Sequence, residues 1–120
     1  MPVTESAKFT SNEKSSGPLA TLLHPNGSGD LIVAWAGVGD QIIGGSDKGD
    51  INIAKIPAAD LPAFTGLNLA PLPGQQLLKD AGGHVEKAFN TLNLVDHGGT
   101  VLLFWDGGGN HINGAALTGI

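Results

Sequence analysis

LIVAWAGVGDQIIG, residues 31–44, returns seventy residues later as VLLFWDGGGNHING, residues 101–114. Trp35 aligns with Trp105, Gly37 with Gly107, Gly39 with Gly109, Ile42 with Ile112 and Gly44 with Gly114, and Asp40 faces Asn110 with the same turn chemistry. In a chain with 19 glycines the glycine matches are cheap, whereas Trp and Ile matches inside an aligned apolar run are not. Such self-similarity marks a supersecondary unit used twice. Residues 31–36 and 101–105 are almost wholly apolar, so each reads as a strand covered on both faces. After each run a glycine turn (37–40 and 106–110) sends the chain back, through Gln41–Gly44 in the first copy and His111–Leu117 in the second. Both apolar strands want cover on two faces, which predicts that they lie side by side at the centre of one antiparallel sheet.

Outward from the repeat, Pro18–His24 reads as a strand closed by the turn cluster Pro25–Asp30, and Ile51–Ile56 as a strand with no single clean apolar face. The stretch 57–74 holds four prolines, enough for one helical turn over Pro57–Phe64 and an extended connection after it. From Gln75 to Leu94 the apolar residues Leu77, Leu78, Ala81, Val85, Ala88, Phe89 and Leu92 keep the spacing of one helix face. That spacing predicts a covering helix, with the pair Gly82-Gly83 as its weak point at about 1 kcal/mol per glycine. The expected fold is therefore α+β, an antiparallel sheet built on two related Trp-Gly hairpins with one covering helix. Residues 1–16 are expected to form a flexible arm, and 17–120 a single globular domain.

Composition narrows function mainly by exclusion. A chain of 120 residues with 41% apolar content can bury a core, and no run of eighteen apolar residues offers a transmembrane segment. Residues 1–16 lack the apolar stretch of a conventional signal peptide, which leaves a cytoplasmic location and non-classical export both open. The absence of cysteine removes disulfides and thiolate chemistry. The charged side chains are six lysines against eleven acids, with no arginine, so the formal charge is −5 and the planar fork that reads phosphate and guanine is missing. Nucleic acid is not an expected partner.

No nucleophile elbow, phosphate loop or HExxH pattern occurs, so no catalytic residue and no cofactor is assigned. Asp40, Asp47 and Asp50 alternate with glycines but lack the order of an EF-hand loop. Of the four histidines, His97 and His111 are the best candidates for a metal or haem role. The strongest candidates for ligand binding are Trp35, Asp40, Trp105, Asp106 and Asn110, because an indole plate beside short, rigid oxygen and amide groups suits a sugar ring. Each also has a structural use, the tryptophans as core anchors and the Asx residues as turn formers.

Gly17-Pro18-Leu19-Ala20, followed by Leu31–Gly37 and then Ile42 to Ser46-Asp47, resembles one blade of the bacterial sialidase-like or lectin-type β-propellers. The likeness covers about forty residues and, through 101–114, part of a second blade. It implies an alternative fold, all-β and propeller-like, with blades completed by oligomerisation because 120 residues do not close a ring alone. It also implies a sugar-binding role in which Trp35, Asp40, Trp105 and Asn110 are the residues to watch.

Three functions follow as expectations. The first is a lectin-like, carbohydrate-binding module without catalysis, acting as a homo-oligomer that multiplies weak sites. The second is a structural or assembly protein, such as a capsid decoration or surface component, and the third a small His-dependent metal or haem protein. Self-association is expected through the uncharged segment Ala63–Pro73, with Phe64 or Leu67 near its centre.

Overall fold

The computed structural model describes residues 14–39, 47–63 and 74–120. They form two antiparallel sheets: β1 (Ser15–Leu23), β2 (Leu31–Val38), β3 (Lys48–Ile56) and β4 (Gln76–Leu77) in the first, and β5 (Leu92–His97), β6 (Thr100–Asp106) and β7 (Ile112–Ala116) in the second. Strand order follows chain order in both, so each sheet is a meander. The expected Gln41–Gly44 return and the 64–73 part of the proline-rich segment lie outside the described residues, as do residues 1–13.

The two apolar runs are each central in a sheet, but not in the same one. β2 pairs with β1 and β3, β6 pairs with β5 and β7, and the sheets stack face to face. One face of β2 and β3 (Ile32, Ala34, Ala36, Ile51, Ile53) packs against Leu92, Val101, Leu103 and Trp105 of the second sheet. Each fully buried isoleucine or leucine of this layer contributes about 1.5–3 kcal/mol. The opposite face of the first sheet forms a smaller cluster of Val33, Trp35, Ala54 and Ile56, to which Leu61 is added from the short 3-10 segment Ala58–Ala63. β2 is thus covered on both faces, as its composition requires. The predicted side-by-side arrangement is corrected because stacked sheets also supply that cover.

The expected covering helix over 75–94 is absent. Gly83 takes φ +83°, outside the helical region, and Asp80 organises a tight turn there. Its Oδ1 accepts the N–H groups of Gly82 and His84, each at 2.9 Å, and its carbonyl accepts that of Gly83. The N–H of His84 above all holds the Asp80 carboxyl below the usual carboxylate range. The chain on both sides of the turn then adds to the edge of the first sheet, with Leu78 N–H donating to Ile51 and Ile51 N–H to Glu86, both at 2.9 Å. The helical spacing of the apolar residues is real, but the glycine pair and the edge hydrogen bonds of β3 decide the outcome.

The repeat is larger than the aligned hairpins. Leu19, Trp35 and Asn52 lie directly across from one another in the first meander, and Leu92, Trp105 and Asn113 do so in the second. Val33 faces Ala54 where Leu103 faces Ala115. Asn52 and Asn113 each donate through Nδ2 to the carbonyl two residues earlier, of Asp50 and His111, both at 3.1 Å. The first strand therefore returns after 73 residues, the middle strand after 70 and the last after 61. Ile51, not Ile42, is the counterpart of Ile112, which corrects the ungapped alignment.

Candidate functional site

Both tryptophans are buried, Trp35 at 3% and Trp105 at 5% exposure, in different layers. Trp105 lies between the sheets and Trp35 on the far face of the first. Neither indole Nε1–H meets an acceptor among the described residues. Both serve as core anchors; Trp105 also lines, with Asp106, Phe104 and Ile112, an open cleft of about 220 Å³, to which it presents little surface.

Asp106 ends β6 and is bound by the chain through both oxygens. Its Oδ1 accepts the N–H groups of Asn90 at 3.0 Å and Thr91 at 2.9 Å, and its Oδ2 accepts the Asn90 side chain. The N–H groups of Thr91 and Asn90 hold its carboxyl down to about 2. The carboxylate thus fastens the entry of β5 to the exit of β6. Asn110 takes φ +63° in the short 3-10 turn Gly108–Asn110, a conformation that Asn tolerates, and is exposed. Asp40 lies outside the described residues.

The histidines do not converge. His97 and His111 flank opposite ends of β6, a strand of seven residues and so about 20 Å long. His24 is tied through Nε2 to the carbonyl of Ile120 at 2.9 Å, and His84 belongs to the Asp80 turn. No group of three metal-ligating side chains occurs among the described residues.

What the strand ends do bring together is a cleft of about 360 Å³ lined by Ser16, Lys48, Gly49, Ala88 and Phe89. It lies where the first meander meets the lead-in to the second. Ala88 N–H donates to the Gly49 carbonyl at 2.9 Å, and Phe89 N–H reaches the Asp106 carbonyl at 3.3 Å. Gly49 has φ +93°, and a Cβ there would meet the Ala88 carbonyl oxygen at 3.4 Å. That contact is an ordinary one, so it is the positive φ that calls for glycine here. The pinned backbone holds the Phe89 ring at 54% exposure. Beside it stand the exposed Lys48 and Ser16, whose Oγ donates to the Ala36 carbonyl at 3.3 Å and keeps a lone pair for a second partner.

One wall of this region is braced by a charge pair. Asp50, buried in β3, accepts the Lys87 ammonium and the Asp47 N–H, and Lys87 also approaches Asp47 at 3.8 Å. The pair joins the Asp50–Lys87 bridge, which carries the segment after the Asp80 turn along β3 toward Phe89. Reading the sequence for tryptophan missed this place, because Phe89 counts there as one apolar residue of a helical face. The local signal was the sequence Asp80–Gly83, which breaks that helix before Phe89 is reached.

No protein-family model matches the chain, and neither does any curated protein or any solved structure.

Proposed function

We propose that the protein is a non-catalytic, carbohydrate-binding module that works as a homo-oligomer and takes its ligand at the Phe89 cleft. The observation that carries this reading is a half-exposed aromatic ring held on pinned backbone in a cleft of ligand size, with a hydroxyl and an ammonium at its rim. A pyranose has an apolar face for the ring and hydroxyls for Ser16 and Lys48. The two consecutive meanders also support the blade-like reading, with β1–β4 as a four-stranded unit and β5–β7 as a second unit one strand shorter.

A glycan array followed by titration calorimetry tests the proposal. Wild-type protein is expected to bind at least one glycan class, and Phe89→Ala to weaken that binding tenfold or more, a loss of about 1.4 kcal/mol. Silence of the wild type across a broad array, or full binding by Phe89→Ala, refutes it. A second reading, an assembly component, is supported by the exposed apolar residues Val95, Phe104 and Ile112 on one face of the second sheet.

A further inference from the structure

The two meanders stack front to back. In the second meander the face bearing Trp105 is the one that packs inward, and it lies on the face of the first meander that is turned away from Trp35. Position by position, that covered face of the first meander corresponds to the outer face of the second. Leu22, Ile32 and Ile51 hold the places of Val95, Leu102 and Ile112. Ile32 and Ile51 are wholly buried, because the second meander lies on them. Ile112 is 87% exposed, with Phe104 and Val95 exposed beside it. Among the described residues, one copy of this apolar face is thus covered and the other is exposed.

We propose that the open face of β5–β7 receives a second copy of this chain, docked head to tail, and that the docking copy presents the Leu19 and Leu23 ridge of β1. This inference rests on the homo-oligomer part of the function proposed above and is independent of the Phe89 cleft. Three observations favour this occupant. The chain already holds a surface that fits such a face, the Trp-bearing side of a meander, so a further meander is the partner whose shape is encoded here. Leu19 and Leu23 stand on that side at the other end of the stack, at 59% and 62% exposure. Leu19 is the counterpart of Leu92, which is buried because it presses on the first meander. Third, the strand residues of the open face include only one acid, Asp106, already held by Asn90 and Thr91, so two copies of charge −5 can meet there with little direct repulsion. Trp35 is shielded from the same side by the Leu61 cluster, which centres the contact on β1.

Because unlike surfaces meet, the contact is heterologous: it propagates until a ring closes or continues as a filament. That property gives a decisive experiment. Sedimentation velocity is run on the full chain at submillimolar concentration for wild type, Ile112→Asp, Leu19→Asp and an equimolar mixture of the two variants, with circular dichroism as the check of folding. Wild type is expected to sediment as an assembly larger than a dimer, and each variant as a folded monomer. The mixture is expected to give a one-to-one heterodimer, since each variant retains the surface that the other has lost. A monomeric wild type overturns the proposal. So does an unchanged assembly of Leu19→Asp, which would mean that the β1 ridge is not the docking surface, and so does a mixture that stays monomeric. If either aspartate variant unfolds, Ile112→Thr and Leu19→Thr replace them with the same expected pattern at reduced amplitude. Glycan binding by the monomeric variants reads the Phe89 proposal separately.

Discussion

Leu103→Ala and Val95→Ala test the assignment of inside and outside in the second sheet. Leu103 lies in the middle of β6, fully buried between the sheets, and Val95 lies on the neighbouring strand with its side chain on the uncovered face. Removing three carbons from Leu103 forfeits about 2.4 kcal/mol at about 0.8 kcal/mol per carbon. Its neighbours sit on two opposed sheets and cannot collapse freely into the space, so the remaining cavity should bring the cost to about 3–5 kcal/mol. Val95→Ala removes carbons that already touch water, and should cost less than about 1 kcal/mol. Equilibrium unfolding in urea gives both values. It should be followed at a protomer concentration low enough that assembly does not add to the apparent stability. The slope with urea is expected to stay constant while the midpoint of Leu103→Ala falls. Equal costs for the two substitutions, or the larger cost at Val95, would show that the second sheet packs with its other face inward. The front-to-back stacking would fall with it.

Two further outcomes follow from local geometry. Asp106 has a folded-state pKa of about 2 against an ordinary 3.8, so the stability it confers is present above about pH 4 and lost as pH falls through about 2. Asp106→Asn should therefore be less stable than wild type at pH 7, with the difference closing toward pH 2; a gap independent of pH in thermal unfolding would refute the carboxylate's role. Gly49→Ala should cost about 1–2 kcal/mol because Gly49 has φ +93°, a conformation that side chains with a Cβ rarely adopt. Gly108→Ala, with open space around its would-be Cβ and no positive φ, should be near neutral, and equal losses at the two sites would remove the argument.

Much of the sheet architecture is legible in the amino-acid sequence. The run 31–36, apolar at every position, could only be a strand covered on both faces, and β2 is that strand. The turn cluster 25–30, the alternating segment 51–56 and the single helical turn after Pro57 also stand where residue chemistry puts them. The segment 75–94 failed because periodicity reports which residues want burial, not which backbone delivers it. A helix and a sheet-edge ribbon can both bury Leu78, Ala88 and Leu92, and the Asp80–Gly83 turn selects the ribbon. The last strand of the repeat was hidden by loop length. Ile51-Asn52-Ile53-Ala54 and Ile112-Asn113-Gly114-Ala115 are plainly related, but the first copy reaches them nine residues later than an ungapped offset allows.

The candidate site was the least legible part, and the stacking explains why. An identical position in a duplicated meander does not have an identical environment, because front-to-back stacking gives the two copies different neighbours. Trp35 and Trp105 share a strand position and a cross-strand asparagine, yet one belongs to the layer between the sheets and the other to a cluster beyond it. Among the described residues, the large apolar side chains left with free surface are Phe89 in the passage between the units and those at the two ends of the stack, the Phe104–Ile112 face and the Leu19–Leu23 ridge. A repeat satisfies its own internal positions first. The surfaces available for ligands and partners are then its junction and its ends, and the sequence signal for these is a departure from the repeated pattern.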